Sequence, residues 1–207
     1  EEEELKEIYI PEKAQAQTFS SGIRETINVI DGDSTMSQEP LSFSDDMTGS
    51  ILRGFFKDGE LDSVRLEGMA TTLYHIFEDS IYQGSNRASG DTIVLKFGED
   101  DLESIFISGG SEGTYTPDSL GSDIDGKVVY QSDKIKYNMQ DESTDLLGEA
   151  NIDYTDMNLK AGFINVAWRS NLLKALPSSD KDSTITPFRP TMIEEGNEPM
   201  VGDTMIY

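Results

Sequence analysis

The chain has 207 residues, enough for one large all-β domain or two small ones with a real core. Against 16 basic residues stand 40 acidic ones, and the net charge of −24 repels nucleic-acid phosphates and anionic membrane surfaces alike, so no nucleic-acid partner is expected. Cysteine is absent, which excludes a disulfide framework, a thiol nucleophile and a cysteine-based metal site.

The first residues, Glu1 to Glu4, have neither the basic nor the apolar region of a signal peptide, and no stretch reaches the roughly 20 apolar residues of a membrane-spanning helix. Lacking an initiator Met and stopping at Tyr207 within a strand-like run, the chain reads as a piece of a longer protein, truncated at the C-terminus. Residues 1–48 are rich in Ser, Thr, Gln, Glu and Asp. They are expected to form an irregular arm with one or two short strands, at Glu7-Ile8-Tyr9-Ile10 and Thr26-Ile27-Asn28-Val29-Ile30.

From residue 49 to 207 the texture is one of short β-type runs punctuated by Gly, Asp and Asn, with almost no helical spacing. An internal repeat organises this body. The segment from Phe56 through Leu61, Val64 and Leu66 to Gly68 lies without a gap over Phe97 through Leu102, Ile105 and Ile107 to Gly109, an offset of 41. Each copy then runs to a Tyr, Tyr74 or Tyr115, and a third copy at an offset of 39 gives Gly148 and Tyr154. A second recurring element is Asp followed two positions on by Ile or Met, in Asp91-Thr92-Ile93, Asp133-Lys134-Ile135 and Asp203-Thr204-Met205. Asp there is expected at a turn, opening each unit. Alternation within strands, as in Ile93, Leu95 and Phe97, predicts one apolar face. A propeller needs at least four such units and the body holds about three and a half, so a stacked, open-ended β-array with exposed edges is expected.

The segments Ser132-Asp133-Lys134-Ile135-Lys136-Tyr137, Leu146-Leu147-Gly148-Glu149-Ala150-Asn151-Ile152-Asp153-Tyr154 and Asp156-Met157-Asn158-Leu159-Lys160-Ala161-Gly162-Phe163-Ile164-Asn165-Val166 resemble the recurring pattern of the OstA-like lipopolysaccharide-transport family. That family covers a periplasmic bridge protein and the periplasmic domain of an outer-membrane translocon. Residues 85–115 resemble longer OstA-like proteins of Bacteroidota-type bacteria. The resemblance spans Ser50 to Pro177 and Gly196 to Tyr207; the chain departs from it in Glu149, where the family favours Asn, and in an insert at about 177–199.

The resemblance implies an all-β, V-shaped β-jelly roll in the periplasm, associated with the outer membrane. It implies lipopolysaccharide as partner, its acyl chains held inside, and edge-to-edge joining to related jelly rolls or to a second copy. Acyl chains leave water at roughly 0.8 kcal/mol per CH₂, so such a carrier needs a continuous apolar lining. The candidates are Val64, Leu66, Tyr74, Ile93, Leu95, Phe97, Ile105, Ile107, Tyr115, Ile135, Tyr137, Leu146, Ile152, Tyr154, Leu159, Ile164, Val166 and Trp168.

Nothing in the chain points to an enzyme, a metal or a cofactor. His75 is the single histidine, and beside Tyr74 it reads as structural. Among 40 acidic residues, pairs such as Asp100-Asp101 or Glu194-Glu195 carry no catalytic signal. Asp31-Gly32-Asp33 and Asp123-Ile124-Asp125-Gly126 are fragments of a Ca²⁺ loop without its full ligand set. Gly109-Gly110-Ser111-Glu112-Gly113 lacks the Lys and the helix of a phosphate loop. The alternative to lipid carriage is a structural or adhesive β-solenoid, Ca²⁺-dependent or not, whose interior is packed shut.

Overall fold

A computed structural model describes residues 5–30, 33–98, 102–122, 124–178 and 189–207. Asp31, Gly32, Asp100, Asp101 and Asp123, and with them both Ca²⁺-loop fragments as complete motifs, lie outside the described residues. Among the described residues the strands are β1 Glu7–Ile10, β2 Ala14–Ile30, β3 Asp33–Gly49, β4 Ile51–Lys57, β5 Glu60–Glu78, β6 Ile81–Phe97, β7 Leu102–Pro117, β8 Val128–Asn138, β9 Ser143–Tyr154, β10 Met157–Ala167, β11 Leu172–Leu176, β12 Thr191–Glu194, β13 Met200–Val201 and β14 Met205–Ile206. All belong to one sheet, and among the described residues a single 3₁₀ turn, Trp168–Ser170, interrupts it.

From β5 to β10 the chain is an antiparallel meander in which every strand is bent once. The register slips between Glu67 and Ala70, Ser89 and Thr92, Ser108 and Ser111, Gln131 and Lys134, and Ala161 and Phe163. These bulges line up across the sheet, so together they make one crease that folds it into two arms. On β5, β7 and β9 the bend consists of two successive residues with positive φ: Gly68 and Met69, Gly109 and Gly110, Gly148 and Glu149. The facing strand presses a polar side chain onto each first glycine. A Cβ on Gly68 would lie 2.7 Å from the Ser50 hydroxyl, one on Gly109 would lie 2.5 Å from the Asp91 carboxylate, and one on Gly148 would overlap Asp133.

The two sequence repeats are therefore two sides of one feature. Gly marks the crease on alternate strands and Asp marks it on the strands between. Asp91 and Asp133 sit mid-strand at the bend, not at a turn that opens a unit. Asp203 does lie between two short strands, β13 and β14, which pair with β12 and β11 on the two arms.

The expected irregular arm is ordered strand. β1 pairs with β4 on one arm, β3 pairs with β5 on the other, and Ser50 stands at the crease between β3 and β4. The bent-strand plan thus begins before residue 49, and the sheet is continuous across that boundary. β2 and β3 pair along their length as a hairpin of 17-residue strands. It is tied back to the body by the Ile23–Ile81 bridge, an Arg24–Asp118 ion pair at 2.6 Å, and Phe43 stacked on His75 with ring centroids 4.0 Å apart. Away from those ties the hairpin has little to bury, and Phe19 is 78% exposed. Apolar alternation needs one buried face, so this ribbon lacks the sequence signal that marks the body.

The insert also differs from expectation. β11 and β12 pair with successive halves of β10, and are two halves of one bent strand. The chain leaves at the crease, where Pro177 and Ser178 pass so closely over Gly162 that a Cβ there would collide with them. Residues 179–188 lie outside the described residues, while Thr191–Glu194 is regular sheet.

Candidate functional site

Register places the inward side chains in rows that cross the strands. Nearest the crease on the first arm, Leu52, Leu66, Ile93, Ile107, Ile135, Leu146 and Ile164 stand opposite one another in turn. Leu66, Ile93, Ile107, Ile135 and Ile164 are completely buried. The matching row on the second arm runs Thr72, Ala88, Gly113, Tyr130, Ile152 and Leu159. Tyr130 lies flat over Gly113, where any Cβ would strike its ring. Together these rows form the apex, which borders the narrower cavity at Tyr130, Leu146 and Ile152 and is packed solid elsewhere.

One step further from the crease the interior opens. On the second arm the row is Tyr74, Asn86, Tyr115, Val128, Tyr154 and Met157, and on the first it is Val64, Leu95, Ile105, Tyr137, Thr144, Val166 and Leu173. Two adjoining cavities lie between them. The wider, of about 440 Å³, is lined by Tyr74, Asn86, Tyr115, Tyr137, Thr144 and Trp168 among others. The narrower, of about 300 Å³, is lined almost wholly by apolar groups, among them Val128, Leu146, Ile152, Tyr154, Met157 and Val166. Ile124, Thr144, Trp168 and Asn171 border both, so these residues mark the junction. Each volume falls within the span of small-ligand pockets.

The three tyrosines of the repeat, Tyr74, Tyr115 and Tyr154, lie in one row on one face, as the repeat requires. They occupy alternate strands, with Asn86 and Val128 between, so their backbones are about 10 Å apart and the rings do not touch as a stack. Their partners come from the opposite arm or the loops. Tyr74 meets Tyr137 edge-on at 6.0 Å, and Tyr115 meets Trp168 at 5.8 Å.

Several polar groups in the hollow are tied down individually. The Tyr115 hydroxyl donates to the Gln83 carbonyl at 2.8 Å and lies 3.1 Å from the Ser122 hydroxyl. Trp168 Nε1 donates to Thr144 Oγ1 at 2.9 Å, which fixes the ring at the cavity junction. The Tyr130 hydroxyl donates to Asn86 Oδ1 at 2.6 Å and is also hydrogen-bonded to the Tyr137 hydroxyl. Burial pushes the Tyr130 hydroxyl up to about 12 and holds Tyr74 and Tyr137 well above the usual tyrosine range, so all three stay protonated and neutral.

All eighteen lining candidates are buried or half-buried, but they divide. Tyr74, Tyr115, Tyr137, Leu146, Ile152, Tyr154, Val166 and Trp168 border the cavities. The others, including Leu66, Ile93, Ile107 and Leu159, pack into the core away from them. Sequence reading missed Val128, Tyr130, Asn86, Thr144 and Leu173. Tyr130 and Val128 were within reach, since they stand at inward parity just before the crease residue Asp133. Asn86 and Thr144 were hidden because a polar residue breaks an apolar alternation.

His75 is structural in this arrangement: its Nδ1 lies 2.7 Å from Asp45 and its ring packs on Phe43 of the hairpin. Among the described residues no group of three His, Cys, Asp or Glu side chains is placed to hold a metal ion.

No protein-family model matches the chain, and no curated protein matches it. Among solved structures it is similar to LptH of Pseudomonas aeruginosa, described as the LptA homologous periplasmic component of the conserved lipopolysaccharide transport device. The two are 14% identical, superpose with a TM-score of 0.56, and the match covers 72% of this chain and 93% of that one. The fold is thus an LptA-like β-jelly roll.

Proposed function

We propose that the chain carries lipopolysaccharide through the periplasm toward the outer membrane, with acyl chains in the hollow between the two arms. The observation that carries this reading is the pair of adjoining cavities, which follows the repeat's tyrosine row across the sheet and is walled mainly by apolar side chains. Likeness of fold to LptH supports it. Hydrocarbon gains free energy from any such wall, roughly 25 cal/mol per Å² of apolar area covered, with no single strong contact to hold it in place. A chain with net charge −24 repels the anionic phosphates of lipid A, so the head group stays outside and only the tails enter.

The sheet ends support the second half of the reading. β1 carries exposed Ile8 and Tyr9 at one end, and β14 carries exposed Ile206 at the other. An unpaired strand edge with apolar side chains accepts another strand, so related jelly rolls or further copies join there edge to edge. The test of carriage is displacement of a fluorescent fatty-acid probe from the chain by purified lipopolysaccharide. Stoichiometric displacement is expected, and a chain that binds neither probe nor lipopolysaccharide while folded overturns the reading.

A further inference from the structure

The two cavities differ in what their walls can recognise. At the register positions of the tyrosine row, the narrower cavity presents Val128, Tyr154 and Met157, whereas the wider one presents Tyr74, Asn86 and Tyr115. Asn86 is 2% exposed, an amide side chain buried among aromatic rings. Its carbonyl oxygen accepts from the Tyr130 hydroxyl, and apart from the neighbouring Tyr137 hydroxyl its amide nitrogen has no polar partner among the described residues. The Tyr74 hydroxyl likewise has no partner among the described residues, although Tyr74 borders the same cavity. The other polar groups nearby are engaged: Tyr115 on Gln83, Trp168 on Thr144, and Tyr137 on Tyr130.

Among the described residues the fully buried side-chain atoms without a partner are Ser20 Oγ and Thr72 Oγ1, whereas Asn86 and Tyr74 border the wider cavity, and a hollow built only for hydrocarbon gains nothing from donors there. Resting on the lipid-carrier reading, we propose that Asn86 and Tyr74 form an oxygen-recognising subsite, donating hydrogen bonds to the carbonyl oxygen of an acyl ester or amide while the narrower cavity takes the unsubstituted hydrocarbon. The Tyr137–Tyr130–Asn86 chain holds the amide so that its nitrogen, not its oxygen, is left for the ligand. Because Tyr74 is neutral and sits edge-on to Tyr137, its hydroxyl adds a second donor without adding charge. The subsite makes the hollow selective for where along a chain the oxygen falls, a property that apolar walls alone cannot supply.

The experiment compares two probes of equal chain length, a monoacylglycerol ester and the alkylglycerol ether that lacks the carbonyl, each displacing a fluorescent fatty acid from the full chain. The ester is expected to bind about threefold to tenfold tighter, the range of one net hydrogen bond. Asn86→Leu and Tyr74→Phe should each reduce that ratio. Asn86→Leu also strips the Tyr130 hydroxyl of its acceptor and can unfold the chain, so Tyr74→Phe, which deletes one oxygen, keeps the test decisive. Equal binding of ester and ether by the unaltered chain, or a ratio that survives in Tyr74→Phe, overturns the subsite. Binding of neither probe overturns the lipid reading and the subsite with it.

Discussion

The apex and the hollow are built by the same strands, from residues of the same parity, yet one is solid and the other is open. Ile107 and Tyr115 both point inward from β7, but Ile107 is fully enclosed and Tyr115 borders a cavity. Distance from the crease makes the difference. Close to the fold line, side chains from the two arms interdigitate at the density of any protein interior. Further out the arms diverge faster than side chains can fill the gap, even with Tyr and Trp as fillers. The crease therefore supplies stability, and the divergence supplies a binding space.

The sharpest way to break this division is to place a charge on each side of it. Ile107→Asp puts an unpaired carboxylate into the solid apex and is expected to cost several kcal/mol, enough to abolish the cooperative thermal transition. Ile152→Asp faces a cavity instead, and should leave a folded chain with a lowered melting temperature and weakened lipid binding. Equal losses in the two variants, read by circular dichroism melts, would erase the distinction.

Truncation should show the same asymmetry at smaller scale. Ile135→Ala creates a void in the apex and should cost about 2–5 kcal/mol, whereas Val166→Ala merely enlarges an existing cavity and should cost about 1 kcal/mol, both measured by urea denaturation.

Alkaline pH probes the boundary between the regions. Tyr130 is raised from 10.0 to about 12 in the fold. A raised value means that its contribution is fully present below about pH 10 and is lost as the pH rises through about 12. Stability should therefore fall over that window, and Tyr130→Phe should flatten the fall.

The crease itself can be improved. Met69 and Glu149 adopt left-handed backbone angles, φ 50 and 43, where β7 has Gly110. Met69→Gly and Glu149→Asn should each stabilise the chain by about 0.5–1 kcal/mol in the same denaturation assay.

Much of the crease was legible because it repeats. Gly68, Gly109 and Gly148, each six positions before a tyrosine, give the bend and the inward row together, and the alternation around Ile93 and Ile135 gives the apex. What Asp91 and Asp133 do was not legible, since a carboxylate at a bulge and one at a turn leave the same trace in a sequence. Nor was the hairpin of β2 and β3, whose faces are largely solvated and so show no period. Which inward residues line space and which fill it depends on how far the two arms separate, a quantity no single strand encodes. The positions of Asn86 and Thr144 were lost for a related reason, because the hydrogen bond that places each comes from a residue distant in sequence, Tyr130 and Trp168.

The central claim is that acyl chains occupy the hollow and avoid both the apex and the outer face. A photo-crosslinking residue placed in turn at Ile152, Phe97, Ile107, Arg65 and Lys160, followed by exposure to lipopolysaccharide, tests it most directly. Ile152 borders the narrower cavity, Phe97 is half-buried against the core and borders neither cavity, Ile107 is sealed in the apex, and Arg65 and Lys160 are exposed on the outside. Strong capture at Ile152 with none at Ile107, Arg65 or Lys160 is the predicted result. Equal capture at Ile152 and Lys160, or none at Ile152 in a folded chain, would contradict it and leave a structural β-array with a vacant interior.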